Sequence, residues 1–185
     1  MAWAPELKVT PEALWKAAVV FALVDTMWVS VLARRITSDE FRRLRWILTA
    51  TTGGFWGLVW LVMAALFWTP VYHYVFPEWM RWLIPPIYGL GFGALGWLFH
   101  RLAGRLPGRP VLSFCALGGL WGMLSHLWAI HRGILEKPPM LQGVSPVAAA
   151  IMPIFEFIFY WCVILSVASV LWRGRDRRRG AGQPG

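Results

Sequence analysis

Five apolar stretches dominate the chain, and short polar segments separate them. The stretches cover residues 14–33, 47–69, 82–99, 111–130 and 148–172. A helix rises about 1.5 Å per residue, so about 20 apolar residues cross the hydrocarbon core of a bilayer. A helix also satisfies its own backbone hydrogen bonds, which lipid cannot do. The pattern therefore predicts an all-α integral membrane protein, a bundle of five transmembrane helices.

Composition agrees with this pattern. Hydrophobic residues make up 58% of the 185 residues, and the mean hydropathy is +0.54. We expect residues 1–172 to form a single membrane domain and the basic residues 173–185 to form a disordered tail. The first apolar stretch is predicted to be a retained helix rather than a cleaved signal peptide, because Asp25 interrupts it.

Basic residues set the expected orientation. Thirteen of the 18 lysines and arginines fall in residues 34–46, 101–109 and 173–179, which alternate with the other connections. The positive-inside rule then places the N-terminus outside and the C-terminus in the cytoplasm, as in a multi-pass protein of the cell membrane. Juxtamembrane arginines also contact anionic lipid headgroups, which explains the net charge of +9. A nucleic-acid partner is therefore not expected.

Small residues and tryptophans indicate how the helices pack. The pairs Gly53–Gly57, Gly89–Gly93 and Gly118–Gly122 have the small-xxx-small spacing that lets membrane helices approach closely. They predict a bundle centred on the second, third and fourth helices. Many of the 14 tryptophans fall near predicted membrane boundaries, where amphipathic rings are common. The deeper ones are interpreted first as packing residues, and second as a wall for a flat ligand.

Two acids inside the apolar stretches carry the functional signal. Asp25 and Glu156 are costly in lipid, and such residues are functional candidates by default. Helical rise places Glu156 within about one turn of the depth of His126. His131 and His73 fall on the same outer side. Asp25 lies nearer the cytoplasmic side, where only hydroxyl side chains are expected as hydrogen-bond partners.

This cluster predicts an outward-facing metal site made by His126, Glu156, His131 and His73. Imidazole with carboxylate favours a transition metal. Haem is the weaker expectation, because two axial histidines should sit on facing helices at one depth. The spacing of His126 and His131 puts them about 140° apart on a helix, which is poor for one shared ion.

Three functions remain open. The first is a small subunit of a larger membrane complex, with lipids, other subunits or further copies of itself as partners. The second is a component of an ion or proton transporter or channel that works as a homo-oligomer and uses Glu156 and Asp25. The third is a stand-alone membrane metalloenzyme. The sequence contains no nucleotide-binding loop or hydrolase triad pattern, so the subunit is the leading hypothesis.

Overall fold

The computed structural model describes residues 10–69, 71–106, 109–134, 137 and 145–181, and every regular element there is helical. All five predicted helices are present, and each differs from its predicted range by a few residues or, in the last case, by an extension. The α-helices are α1 (Pro11–Arg35), α2 (Ser38–Arg43), α3 (Arg45–Val62), α4 (Ile84–Ala103), α5 (Pro110–His131) and α6 (Pro146–Ala181). A π-helical turn, Met63–Phe67, prolongs α3.

Four of these helices are long and apolar enough to cross a membrane: α1, α3 with its π turn, α5 and α6. This is consistent with a multi-pass membrane protein. The helix α4 has 20 residues but is not among the four. His100 and Arg101 in its last turn lower its hydropathy, as do its glycines and prolines. The fifth span and the orientation therefore remain predictions.

Glycine contacts join α3 to α4, as the small-residue spacing predicts. A β-carbon added at Gly53 would lie 2.9 Å from the carbonyl oxygen of Gly89, and one added at Gly89 would lie 3.0 Å from that of Gly53. Backbone therefore lies directly on backbone. Such close approach is how membrane helices gain van der Waals contact without a hydrophobic driving force.

The glycines of α5 have a different partner. An added β-carbon at Gly118 would lie 1.9 Å from the indole of Trp161, and one at Gly122 would lie 2.6 Å from the ring of Phe157. Both aromatic residues belong to α6, which also packs against α1 and α3. The prediction that the second to fourth helices form the centre is therefore wrong. α6 occupies that place because its aromatic side chains fill the space left by the α5 glycines.

The basic end of α6 is held by hydrogen bonds to the connection between α1 and α3. Glu40, in the short helix α2, accepts hydrogen bonds from Ser169 Oγ and from Arg173 Nε, each at 3.0 Å. Arg173 Nη2 also donates to the carbonyl oxygen of Arg35 at 2.8 Å. The tail predicted to be disordered from residue 173 is instead helical as far as Ala181. Residues 182–185 lie outside the described residues.

Candidate functional site

The side chain of Glu156 is paired with a tyrosine. Its Oε1 accepts a hydrogen bond from Tyr160 OH at 2.5 Å. The two residues are four apart on α6, so they share one face of the helix. Glu156 follows Pro153, which is buried, and is itself half-buried. The carboxylate thus lies at a partly open position and has one fixed donor.

Aromatic rings form two groups here, one around Trp60 and one around Tyr160. The ring of Trp60 lies 5.0 Å from that of Tyr72 and 4.2 Å from that of Tyr88, centroid to centroid. The ring of Trp56 lies 5.3 Å from that of Tyr160. Tyr72 belongs to the connection between α3 and α4. Burial raises the pKa of its phenol, and the negative charge of Glu156 raises that pKa further.

The predicted histidine ligands point elsewhere. His126 Nδ1 lies 3.0 Å from the carbonyl oxygen of Gly122, and its ring edge faces Phe157. His131 is exposed at the end of α5. His73 is exposed, and its ring centroid lies 3.8 Å from that of Tyr74. Among the described residues, no hydrogen bond or ion pair joins any of these histidines to Glu156.

A metal ion needs several ligands that converge on one point. The part of the chain that the structure describes contains no group of three or more His, Cys, Asp or Glu side chains that could hold one. The metal site predicted from His126, Glu156, His131 and His73 therefore gains no support from the geometry.

Asp25 has a different environment. It is 3% exposed, and within the described residues neither carboxyl oxygen has a hydrogen-bond partner. The neighbouring Thr26 hydroxyl donates to the carbonyl oxygen of Ala22 on its own helix instead. Elsewhere in the bundle, Cys115 Sγ on α5 lies 4.0 Å from Cys162 Sγ on α6. The expected hydrogen bonds between Asp25 and hydroxyl side chains are absent from this part of the chain.

Family models, curated proteins and solved structures were all compared with this chain, and none matches it.

Two of the deep tryptophans act as packing residues. Trp161 is fully buried against Gly118, and Trp56 stacks on Phe92 with centroids 4.2 Å apart.

The geometry around Glu156 allows a different chemistry: a carboxylate and a phenol among aromatic rings can exchange a proton or attract a cation. Sequence reasoning missed Tyr160 and Tyr72. The four-residue spacing of Glu156 and Tyr160 was a usable signal for the first, whereas Tyr72 is brought close only by the fold.

Proposed function

We propose that this protein is a small multi-pass subunit of a larger complex in the cell membrane, with other membrane subunits or further copies of itself as partners. The observation that carries the proposal is a pair of outward-facing glycines, one on the candidate span α3 and one on the neighbouring helix α4. A β-carbon added at Gly54 of α3 or at Gly91 of α4 would meet no atom of the described residues within 4 Å. Both residues are exposed and adjoin exposed alanines, Ala50 and Ala94.

Small residues on an outer face favour a helix partner over lipid alone. A lipid-facing position gains nothing from glycine, which destabilises a helix by roughly 0.5–1 kcal/mol relative to alanine. Small residues do let a second helix approach closely enough for backbone contact. The inner faces of α3 and α4 use Gly53 and Gly89 in that way. We propose that Gly54 and Gly91 serve a second subunit by the same physical mechanism.

The same proposal includes five spans, with the N-terminus outside and the C-terminus in the cytoplasm. α4 runs antiparallel along α3, from Gly57 beside Pro85 to Thr52 beside Gly96, which supports its assignment as the fifth span. Arginines from two of the predicted inner segments meet at one end of the bundle, where Arg45 and Arg101 line one cavity. This convergence supports the orientation that the positive-inside rule gives.

The test is the native mass of the full-length protein extracted with a mild detergent and in nanodiscs. We expect a mass above that of the monomer. Gly54→Leu and Gly91→Leu should lower it, because each leucine fills the space for a partner, and its β-carbon has no described atom of its own chain within 4 Å. Ala116→Leu, at another exposed small residue on α5, is the matched control and should leave the mass unchanged. A wild-type protein that is monomeric in both media would contradict the proposal.

The outer site around Glu156 forms part of this proposal as a polar site that a partner or solute reaches from outside. Metal binding by His126 and Glu156, with His131 and His73, stays a prediction. Metal analysis and a visible spectrum of the purified protein test it, with Glu156→Gln as the comparison. Loss of a bound metal in that variant would support a metal site, whereas a metal-free wild-type protein would contradict it.

Asp25 supports a second candidate function, an ion- or proton-transport component. A buried carboxyl group without a hydrogen-bond partner in the described part is costly to keep, and intramembrane acids of this kind mark ion and proton pathways. Proton flux into liposomes tests this candidate. Asp25→Asn and Glu156→Gln should each reduce the flux, and flux that equals that of empty liposomes would contradict a transport function.

A further inference from the structure

A basic cavity opens at the end of the bundle where α2 meets α4. Its volume is about 550 Å³, within the range of roughly 300–1,000 Å³ that is usual for small-molecule sites. Four arginines from two different segments of the chain share this cavity with an aromatic residue and a histidine. The residues that matter are Arg42, Arg45, Arg101, Arg105, Trp97 and His100.

The positive charge of this cavity is largely unneutralised. Arg42 forms an ion pair with Asp39, which the structure places beside it on α2. Within the described ranges no carboxylate pairs with Arg45, Arg101 or Arg105, and no described lining residue is acidic. Like charges that converge without a counter-charge repel one another. An anion bound between them would remove that repulsion.

Two of the arginines stack on tryptophan rings. The Arg101 guanidinium lies 5.5 Å from the centre of the Trp97 ring, and the Arg45 guanidinium lies 5.1 Å from that of Trp46. Stacking on an aromatic face restricts the guanidinium while leaving its N–H groups free. A planar guanidinium is suited to bidentate binding of phosphate. The arrangement therefore favours a phosphate group over a simple halide.

His100 forms a fixed wall of the cavity. Its Nε2 donates to the carbonyl oxygen of Phe41 at 2.8 Å, and its ring stacks on the Phe41 ring at 4.6 Å. The residue is 6% exposed, and its Nδ1 is buried with no hydrogen-bond partner in the described part of the chain. His100 is therefore a rigid part of the wall between α2 and α4.

The position of the cavity identifies the kind of ligand. Leu98 and Leu102 lie exposed on α4 next to the arginine-bearing face, so an apolar surface leads away from the charged cavity. Tryptophan and arginine together are typical of the headgroup level of a membrane. We propose that this cavity binds the phosphate of an anionic phospholipid, whose acyl chain lies along Leu98 and Leu102 of α4. The choice of the cytoplasmic leaflet rests on the orientation proposed above.

The experiment measures lipid retention by native mass spectrometry of the full-length protein after incubation with phosphatidylglycerol or phosphatidylcholine. The test variant is Arg45→Gln with Arg105→Gln, which leaves at least two arginines in each inner segment and so preserves the topology signal. One arginine near the surface changes lipid affinity by roughly fivefold, so the double variant should retain phosphatidylglycerol roughly 25-fold more weakly. The control, Arg177→Gln with Arg178→Gln, removes the same charge from α6 outside the cavity and should change retention less than about twofold.

Several results would overturn the proposal. Equal losses in the two double variants would mean general surface attraction, and equal retention of phosphatidylcholine would remove the need for an anionic lipid. Displacement of the lipid by inorganic phosphate alone would identify a soluble anion as the ligand. If the double variant does not fold, Arg105→Gln replaces it, because its side chain makes no hydrogen bond or ion pair with the described residues; about fivefold weaker retention is then expected. Native mass and lipid retention are separate measurements, so failure here differs from failure of the subunit proposal.

Discussion

Asp25 and Glu156 are both acids within candidate spans, but the fold treats them differently. Asp25 is almost fully buried and has no hydrogen-bond partner among the described residues. Glu156 is half-buried, accepts a hydrogen bond from Tyr160 and has Tyr72 within its electrostatic reach. The position of Asp25 therefore lowers the stability of the fold, whereas a molecule outside the protein can reach Glu156.

The two acids therefore bear on different properties: Asp25 on the stability of the fold, and Glu156 on recognition of other molecules. A buried polar group without a partner lowers stability by its full cost of desolvation. Glu156 avoids that cost because it keeps a donor and partial exposure. Asp25 is retained despite its cost, which is the reason to test it for transport. Glu156 is the better candidate for contact with a partner or solute on the predicted outer side.

Replacement of Asp25 by leucine should give the largest effect. Leucine has the same branched shape and no polar atoms, so Asp25→Leu should stabilise the protein by about 1–3 kcal/mol, the penalty of the unpaired group. The free energy of unfolding in mixed micelles measures this change. Asp25→Asn is the control and should give little of the gain, because it keeps a buried polar side chain. Destabilisation by leucine would mean that Asp25 has a partner beyond the described residues.

Removal of the Tyr160 hydroxyl should have the next largest effect, with the opposite sign. Tyr160→Phe leaves the ring packing unchanged and deletes the hydrogen bond to Glu156, so it should destabilise the protein by about 1 kcal/mol. The same unfolding measurement applies. Tyr88→Phe is the matched control, since the Tyr88 hydroxyl makes no hydrogen bond to a described residue. Equal changes in the two variants would show that the Tyr160–Glu156 bond contributes nothing specific.

Sequence could predict much of this fold and less of the site. Apolar length was enough for the five long helices, because lipid requires that length. It did not reveal α2, although Thr37 and Glu40 have the spacing of a helix-capping pair and Thr37 does cap that helix. Glycine spacing identified which residues pack closely, but Gly118 faces an aromatic ring while Gly53 faces another glycine. The partner of a glycine depends on the volumes of side chains on another helix, and the glycine spacing carries no information about those volumes.

The two acids show the same limit at the level of single residues. The four-residue spacing from Glu156 to Tyr160 is visible in the sequence. The lack of a partner at Asp25 is not visible, because hydroxyls such as that of Thr52 bind their own helix instead of reaching across. Local hydrogen bonds can thus be predicted from spacing, whereas hydrogen bonds between helices depend on which faces meet.

The smallest effect is expected for Glu156→Gln, which removes the charge and keeps an oxygen acceptor for Tyr160. Its stability at neutral pH should change by less than about 0.5 kcal/mol. The readout is the pKa of Tyr72. Burial and the charge of Glu156 both raise this pKa above its ordinary value of about 10. The folded protein then binds the phenolic proton more strongly than the unfolded chain, so stability falls as the pH rises above about 10.

Without the charge, the pKa of Tyr72 should move down but stay above its ordinary value, because burial is the larger cause. The loss of stability at high pH should shrink accordingly. Tyrosinate absorbance, with Tyr72→Phe subtracted, measures the shift, and Asp39→Asn at the basic end of the bundle removes an equal charge as the control. An unchanged Tyr72 titration in Glu156→Gln would show that the charge of Glu156 does not act on the connection between α3 and α4. The contrast with Asp25 would then carry no functional meaning, because Glu156 too would have no link to the predicted outer face.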